Sequence, residues 1–390
     1  MKIAVPKETR AGEHRVALAP ESCKKLIQAG YQVAVEAGAG EAAFYPDAAY
    51  REAGATVEQD PAALLGSADI VLKVNAPATA PPRNEAAWMR PGAIFVASLM
   101  PMRNLDAIRA LAERKVTAFS TDSIPRTTRA QAMDTLSSMA NIAGYKGVLL
   151  AAAELPKYFP MFMTAAGTVF PARVFVIGAA VAGLQAIATA KRLGANVFAT
   201  DVRPEVKEQI ESLGAKYVGI ELKESASAGG GYARELSAED KARQKEMLAD
   251  QCAIADVVIT TALIGGVFAP RLLDAAVVRR MRPGSVVVDL GADGGGNCEL
   301  SRPGETVVTE NGVLILAPLN LAATMPAHAS LLFGRNLTSF VLAFTKEKAF
   351  RLDLSDDLQK GSLITHEGAV TNDRIRDALM AATAGSERRS

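Results

Sequence analysis

The sequence predicts an α/β protein of two doubly wound, Rossmann-like domains whose parallel sheets are flanked by helices. Three observations indicate this fold class. Short β-rich runs alternate with helical patterns over roughly the first third of the chain, a glycine-containing turn joins a strand to a helix near the middle, and more strands alternate with helices after it. Such alternation is typical of parallel sheets covered on both faces. A series that opens on a glycine turn is typical of doubly wound nucleotide-binding folds.

The composition is that of an ordinary globular chain and excludes several classes of function. The chain has 390 residues, 49% hydrophobic and 22% charged. This predicts two or three domains and excludes a disordered or fibrous protein. Lys and Arg number 43 against 42 Asp and Glu, a net charge of +1, so no electrostatic argument supports nucleic-acid binding.

Cysteine content and hydropathy predict the compartment. The three cysteines are scattered and form neither a disulfide framework nor a metal cluster: Cys23, Cys252 and Cys298. This fits a reducing cytosol and predicts no metal site. The start, MKIAVPKETR, lacks the apolar core of a signal peptide. No segment reaches the roughly 20 apolar residues of a spanning helix, so we expect any membrane link to come through a partner.

The elements of the first domain follow from local patterns. Strands are predicted at residues 2–6, 31–36, 70–74, 93–97 and 116–119. Helices are predicted at residues 20–29, which Pro20 starts and Gly30 ends, and at residues 105–114. The PATAPP segment at residues 77–82 is predicted to be a rigid loop.

A long helix is predicted at residues 127–153, with Gly144 and Gly147 as weak points. It either bridges two domains or covers the first sheet. Strands of the second domain are predicted at residues 173–179, 196–201, 217–220, 257–261, 285–290 and 313–317. Because that strand count is already complete, we expect the tail helix at residues 337–344 to return to the first domain. The predicted domains are 1–136, completed by 330–390, and 137–329.

The segment Gly178 to Gly183 carries a GxAxxG form of the dinucleotide fingerprint. In such a turn the first glycine makes the tight strand-to-helix connection, and the third allows the helix to pack on the strand. Ala180 occupies the second position, where glycine normally lets the backbone approach the pyrophosphate. Asp201 follows Gly183 by 18 residues, and a carboxylate there binds the adenosine ribose and selects NAD over NADP. Arg203 complicates this selection, and a doubly wound fold without a dinucleotide is the alternative.

Two glycine clusters follow. Residues 229–232 end in Tyr232 and predict either a mobile surface loop with an aromatic tip or an insertion without a role. Residues 294–297 follow a strand of the second sheet. Ligands of such sheets bind at the carboxyl ends of the strands, so we expect this second cluster to line the cofactor cleft between the domains.

Polar residues of the first domain offer candidate ligand contacts. Arg15 and Lys73 either hold a carboxylate substrate or are surface charges, and base rates favour the surface for Lys73. Gln131, Asp134 and Ser137 are spaced three apart, which places them on one face of the predicted helix. That stripe is either a solvated face or a surface that holds a carboxamide.

The positions of the histidines favour hydride transfer without acid–base chemistry. The three histidines are His14, His328 and His366, and none lies in the SLMPM loop after the strand at residues 93–97. A dehydrogenase that oxidises an alcohol or amine needs a base there, most often histidine. Transfer between two nicotinamides needs none, although Asp293 or a lysine remains available as a base.

Several segments resemble one protein family. PKETRAGEHRVALAPE at residues 6–21 resembles the opening shared by alanine dehydrogenases and the NAD-binding subunit of proton-translocating transhydrogenase. Five further segments resemble the transhydrogenase branch: residues 125–145 (containing RAQAMD), 163–168, 181–195, 230–235 and 295–298. Arg15 and Lys73 match both branches, whereas the catalytic histidine of the dehydrogenase branch is missing.

The resemblance implies the site residues. Six residues would hold the nicotinamide and its ribose: Arg126, Thr127, Gln131, Met133, Asp134 and Ser137. Of these, Arg126, Gln131 and Asp134 would be catalytic. Gln131 would also face the NADP(H) of a partner. The rest of NAD(H) would contact Gly178, Ala180, Val181, Ala182, Gly183, Asp201, Val202, Arg203, Gly231, Tyr232, Ala262 and Leu263. The sequence departs from the family at Ala180, and Asp293 is shared with the dehydrogenase branch.

The resemblance also implies an activity and partners. The chain would be the NAD(H)-binding component of a proton-translocating transhydrogenase, an enzyme active only with its partner subunits. It would transfer hydride from NADH to NADP⁺ held by another subunit. We expect a homodimer in the cytoplasm, attached to the inner membrane through separate membrane and NADP-binding subunits. A self-contained NAD-dependent alanine dehydrogenase is the alternative, and a regulatory nucleotide-binding protein is a third class.

Overall fold

The N-terminal segment alternates strands and helices. The computed structural model describes residues 1–220, 237–263 and 268–387. The first strands are β1 (Lys2–Val5), β2 (Gln32–Glu36), β3 (Thr56–Glu58), β4 (Ile70–Asn75), β5 (Thr79–Ala80), β6 (Arg83–Asn84), β7 (Ile94–Ser98) and β8 (Thr117–Ser120). The helices among them are α1 (Pro20–Gln28), α2 (Asp47–Glu52), α3 (Pro61–Gly66), α4 (Glu85–Trp88) and α5 (Leu105–Glu113).

The segment at residues 77–82 corrects a prediction. It is not a plain loop, because β5 pairs antiparallel with β6 and Ala80 lies opposite Arg83. The two prolines between the strands turn the chain into a short hairpin. Prolines fit such a turn since neither needs a backbone donor there.

The predicted helix at residues 127–153 starts later than expected. Residues Thr128–Met133 form a 3₁₀ segment, and α6 spans Thr135–Glu154. Asp134 separates the two with a non-helical ψ of 88°. The prediction that Gln131, Asp134 and Ser137 share one helix face is therefore wrong. The residues of TRAQAM favour a helix. Aspartate, however, is favoured at the N-cap of a helix and disfavoured in its interior, so the helix starts after Asp134.

The glycine turn and its neighbours lie in the next segment. Its strands are β9 (Phe162–Thr164), β10 (Gly167–Val169), β11 (Arg173–Ile177), β12 (Asn196–Thr200), β13 (Lys216–Tyr217), β14 (Val257–Thr260), β15 (Val286–Asp289), β16 (Thr306–Val308) and β17 (Leu314–Leu316). Its helices are α7 (Val181–Arg192), α8 (Val206–Ser212), α9 (Ala238–Ile254) and α10 (Ala275–Arg279).

The tail holds more structure than the sequence predicted. The expected helix at residues 337–344 is the end of a longer one, α11 (Pro326–Ala343). The polar stretch after it contains β18 (Thr345–Lys346), β19 (Ala349–Phe350), α12 (Asp357–Ser362), β20 (Leu363–His366), β21 (Ala369–Val370) and α13 (Asp373–Glu387).

The chain divides into two compact units, residues 1–139 with 323–390 and residues 140–322. The sheet of the first unit has the strand order β21-β20-β8-β7-β4-β1-β2-β3. Its N-terminal strands are parallel, whereas β20 pairs antiparallel with β8 and β21. The tail thus extends the first unit's sheet. A helix-flanked, mainly parallel sheet confirms the predicted fold class for this unit.

The second unit has the strand order β13-β12-β11-β14-β15-β17-β16, parallel except for the β16–β17 pair. Its sheet is doubly wound about β11, which confirms the predicted class here too. The residues of β14 and β15 are buried throughout, and both strands read as nearly continuous valine and isoleucine runs. This pattern is typical of strands covered on both faces.

Among the residues that the structure describes, none of the helices combines the length and apolarity needed to cross a membrane.

Candidate functional site

The turn between β11 and α7 is built around two glycines. Gly178 has a φ of +93°, and a Cβ there would lie 2.6 Å from Thr261 Oγ1. A Cβ on Gly183 would lie only 1.9 Å from the carbonyl oxygen of Gly178. Gly178 therefore allows the reversal of the chain, and Gly183 allows the first turn of α7 to lie against the end of β11.

Ala180 does not distort this turn. Its φ of −78° and ψ of −166° are extended, a conformation open to any residue, so the second position does not need glycine for backbone reasons. Ala180 is the N-cap of α7, and its methyl group accepts no hydrogen bond from the first turn of the helix. The first-turn N–H groups of Val181, Ala182 and Gly183 are left for an anion by the helix geometry.

Asp201 ties the end of the neighbouring strand to the glycine turn. Its Oδ2 accepts a hydrogen bond from the Ala179 backbone N–H at 2.8 Å. Arg203 donates to the same carboxylate from its backbone N–H, Nε and Nη2, each at 2.9 Å. The Asp201 hydrogen bond raises the pKa of Arg203 against the opposing effect of burial. Arg203 thus neutralises the Asp201 carboxylate, which the sequence predicts to bind the ribose. Val202, which lies between them in the sequence, is half-buried.

The segment after β14 lies beside the glycine turn. Thr261 Oγ1 donates to the carbonyl oxygens of Gly178 at 3.0 Å and Ile177 at 3.3 Å. Ala262 and the 37%-exposed Leu263 follow it. The structure thus brings Ala262, which the resemblance assigns to the site, close to Gly178. Gly231 and Tyr232 lie outside the described residues.

A buried carboxylate that the sequence reasoning missed organises this edge of the sheet. Asp289, the last residue of β15, is fully buried. Its oxygens accept hydrogen bonds of 2.7–3.1 Å from five donors: Thr260 Oγ1, Ser301 Oγ and the backbone N–H groups of Gly291, Asn297 and Cys298. The sequence feature that could have revealed this site is the single acid, Asp289, at the end of a run of three valines. A charge in such a buried strand needs polar partners.

The residues predicted to hold the nicotinamide, all in the first unit, differ in their exposure. Arg126, Thr127 and Gln131 are exposed, and Met133 is buried. Asp134 caps α6, because its oxygens accept the Ser137 backbone N–H at 2.8 Å and the Ser137 Oγ hydroxyl at 2.6 Å. Asp134 and Ser137 are therefore preorganised as a pair, while Gln131 projects from the preceding 3₁₀ segment.

The cations Arg15 and Lys73 are buried ion-pair partners. Arg15 Nη2 lies 2.6 Å from Glu13 Oε2. Lys73 Nζ lies 2.7 Å from Glu85 Oε2 and 3.6 Å from Glu8 Oε2, and Lys73 is only 2% exposed. The prediction that Lys73 is a surface charge is therefore wrong. A carboxylate substrate that binds Arg15 or Lys73 would therefore compete with the glutamates that already pair with these cations.

Each candidate acid–base group has its own surroundings in the structure. His14 and His328 are exposed, and His366 Nδ1 lies 3.0 Å from Thr117 Oγ1. Asp293 is exposed and its Oδ2 accepts the Asn320 backbone N–H at 3.2 Å. No group of three or more potential metal ligands occurs in residues 1–220, 237–263 and 268–387.

These features define a class of protein. A parallel sheet with a glycine turn before a helix, and an acidic residue at the end of the adjacent strand, is the arrangement of the Rossmann-like dinucleotide-binding folds.

Comparison with known proteins identifies the family. Models of the alanine dehydrogenase/PNT N-terminal and C-terminal domains match residues 4–143 and 147–373. The chain belongs to the alanine dehydrogenase/PNT family. Over 377 residues it is 46% identical to the first part of the NAD(P) transhydrogenase subunit alpha of Rhodospirillum rubrum, covering 95% of this chain and 98% of the relative.

Further relatives cover both branches of the family. A crystal structure of a transhydrogenase from Sinorhizobium meliloti superimposes with a TM-score of 0.86 at 45% identity, covering 95% of this chain and 100% of the other. An alanine dehydrogenase of Halomonas elongata is 30% identical, covering 97% of each chain. The predicted resemblance is confirmed, and the chain is a homologue of transhydrogenase alpha subunits within an oxidoreductase family.

Proposed function

We propose that this chain is the NAD(H)-binding component of a proton-translocating NAD(P) transhydrogenase. It presents NADH for direct hydride transfer to NADP⁺ held by a partner subunit, and membrane subunits couple the transfer to proton movement. The observation that carries the proposal is the glycine turn of residues 178–183 in a chain 46% identical to a transhydrogenase subunit. The name of that relative, which denotes one part of a subunit alpha, supports a multi-subunit enzyme.

The residues at the turn fit a dinucleotide. In the proposal the uncapped first turn of α7 binds the pyrophosphate through backbone N–H groups, and Asp201 with Arg203 contacts the adenosine ribose. Ala262 and Leu263 border the nucleotide. The nicotinamide end is assigned to residues of the first unit: Arg126, Thr127, Gln131, Met133, Asp134 and Ser137.

Orientation is the chain's contribution to the chemistry. The bound nicotinamide supplies the hydride. The carboxylate of Asp134, held by Ser137, fixes the ring and its ribose, and Gln131 faces the partner's nucleotide. Holding two rings in reactive geometry converts a bimolecular step into an effectively unimolecular one. No residue of the chain moves a proton in this step.

The cations that would hold an amino-acid carboxylate match both branches of the family and so do not by themselves choose between the two activities. Arg15 and Lys73 are already paired with Glu13, Glu85 and Glu8. A free amino-acid carboxylate must displace these buried anions before it binds. The histidines His14 and His328 are exposed, so neither is a buried general base.

We also propose that the chain works as a homodimer, attached from the cytoplasm to the inner membrane through its partner subunits. The β9–β10 hairpin and its flanks expose six large apolar side chains: Tyr158, Met161, Phe162, Met163, Val169 and Phe170. Met163 and Phe170 are each more than three-quarters exposed, and contiguous exposed apolar side chains mark interaction surfaces. No charged residue interrupts residues 158–170, which is typical of obligate interfaces.

Reconstitution tests the activity. The purified chain should bind NADH, and with the NADP-binding component of a transhydrogenase it should reduce thio-NADP⁺ from NADH. Gln131→Ala should slow this exchange at least about tenfold while NADH still binds, whereas the exposed Thr128→Ala on the same segment should not. The proposal is wrong if the chain alone reduces NAD⁺ with L-alanine, or if a well-folded partner gives no exchange.

A further inference from the structure

Asn297 holds both backbone groups of Ala262. Asn297 is fully buried, and its Oδ1 accepts the Ala262 N–H at 3.1 Å while its Nδ2 donates to the Ala262 carbonyl at 2.9 Å. Nδ2 also donates to the carbonyl of Pro270 at 2.8 Å. These three partners fix the orientation of the amide, because a flipped amide would oppose two acceptors with its oxygen.

Asn297 is itself anchored at the sheet edge. Its backbone N–H donates to Asp289 Oδ1 at 3.1 Å, and the same oxygen accepts Thr260 Oγ1 at 3.0 Å. Asp289 thus holds Asn297 and the last residue of β14 together. A Cβ on Gly291 would lie 2.7 Å from Asn297 Oδ1, so glycine at position 291 leaves space for the amide.

The clamped segment forms a wall beside the glycine turn. Thr261, between Thr260 and Ala262, donates to the Gly178 carbonyl at 3.0 Å. The Ala262 nitrogen lies 3.5 Å from where a Gly178 Cβ would stand. A nucleotide phosphate that approaches Gly178 therefore passes next to the peptide that Asn297 fixes.

We propose that Asn297 is a positioning residue for NAD(H), and that it acts through the Ala262 peptide without touching the nucleotide. The inference rests on the proposed function of this turn. An asparagine is needed since it alone supplies an acceptor and two donors at this length. Aspartate has the same shape but, when ionised, loses both donors and faces two carbonyl oxygens.

The test compares two asparagines that clamp backbone groups in the same unit. Asn297→Asp should raise the Kd for NADH about tenfold or more, measured by nucleotide fluorescence. Its binding should recover partly as the pH falls, because a protonated carboxyl regains one donor. The matched control is Asn311→Asp, since Asn311 Nδ2 donates to three carbonyls of residues 278–281 at 3.2–3.3 Å. It should lower the urea midpoint without changing the Kd more than about threefold.

Either of two results with the asparagine variants overturns the inference. One is an Asn297→Asp protein that binds NADH as the wild type does. The other is an Asn311→Asp protein that loses as much affinity at the same loss of stability. If Asn297→Asp does not fold, Thr261→Val removes the bond to Gly178 at constant volume and should also weaken NADH binding several-fold; unchanged binding contradicts the inference. A wild type that fails to bind NADH would instead contradict the proposed function itself.

Discussion

The buried charges of the first unit show how neighbouring side chains decide what a cation can do. Lys73 sits within the apolar run of β4, and its nearest carboxylate partner, Glu85, is twelve residues away in the chain. Arg15 is paired within its own loop by Glu13. Removing one partner from such a pair leaves an uncompensated buried charge, which is strongly destabilising. Loss of either partner should therefore destabilise the unit, whether or not the cation meets a ligand.

Glu13 gives this cluster a pH dependence. Burial raises the pKa of Glu13, but hydrogen bonds and charge from Arg15 outweigh it and lower the pKa from 4.5 to about 2. The ionised carboxylate thus contributes stability that is fully present above pH 4.5 and is lost as the pH falls towards 2. From the linkage relation, the contribution at neutral pH is about 3 kcal/mol at most.

Glu13→Gln should remove that contribution. We expect the urea midpoint of the wild type to fall towards that of the variant between pH 4.5 and about 2, and to exceed it at pH 7. The control is Glu21→Gln, whose exposed pair with Arg335 at 3.0 Å is worth less than about 1 kcal/mol. Parallel curves for wild type and Glu13→Gln across this range would contradict the role assigned to Glu13.

At the scale of elements, a contact between two helices explains one of the two glycines of α6. The sequence marks Gly144 and Gly147 as weak points of α6, because glycine lowers helix propensity. In the structure a Cβ on Gly144 would lie 2.1 Å from the carbonyl oxygen of Ala182, in the first turn of α7. The nearest contact of a Cβ on Gly147 would be the Leu290 side chain, at 3.0 Å. Close approach of two helices, not helix weakness, therefore accounts for Gly144.

Substitution at these two positions should have opposite effects. Gly144→Ala must displace the backbone at the start of α7, so we expect a loss of about 1–3 kcal/mol in stability together with weaker NADH binding. Gly147→Ala needs only a side-chain shift and gains up to about 1 kcal/mol in helix propensity. Urea unfolding and NADH titration of both variants check this. Equal effects of the two alanines would show that the α6–α7 contact does not matter.

The sequence predicted the buried strands better than the strands at the edges of the sheets. Strands such as β14 and β15 were predicted because burial on both faces leaves a continuous apolar run. The short edge strands β3, β16 and β21 were missed, since their residues are partly exposed and their pairing depends on distant chain segments. The hydrogen bonds of Asp289 and Asn297 were hidden for the same reason: their partners lie up to 35 residues away.

At the scale of the whole molecule, the β9–β10 hairpin and its flanks present six exposed large apolar side chains close together in the sequence. A two-stranded ribbon is marginally stable by itself in water. Tyr158 and Phe162 pack against each other with ring centroids 4.8 Å apart, yet Met163 and Phe170 remain 79% and 78% exposed. Contact with a second copy of the chain covers such a surface on both chains at once, which a symmetric pair requires.

The homodimer proposal therefore predicts that charge on this hairpin separates the chains. Met163→Asp combined with Phe170→Asp should shift sedimentation from dimer to monomer, because two carboxylates cannot be buried without partners. The control is Val308→Asp on β16, which is also highly exposed at 68% and should leave the dimer intact. NADH binding should persist in both proteins, since neither change touches the glycine turn. A wild type that sediments as a monomer, or a double variant that remains a dimer, would contradict a homodimer formed through this hairpin.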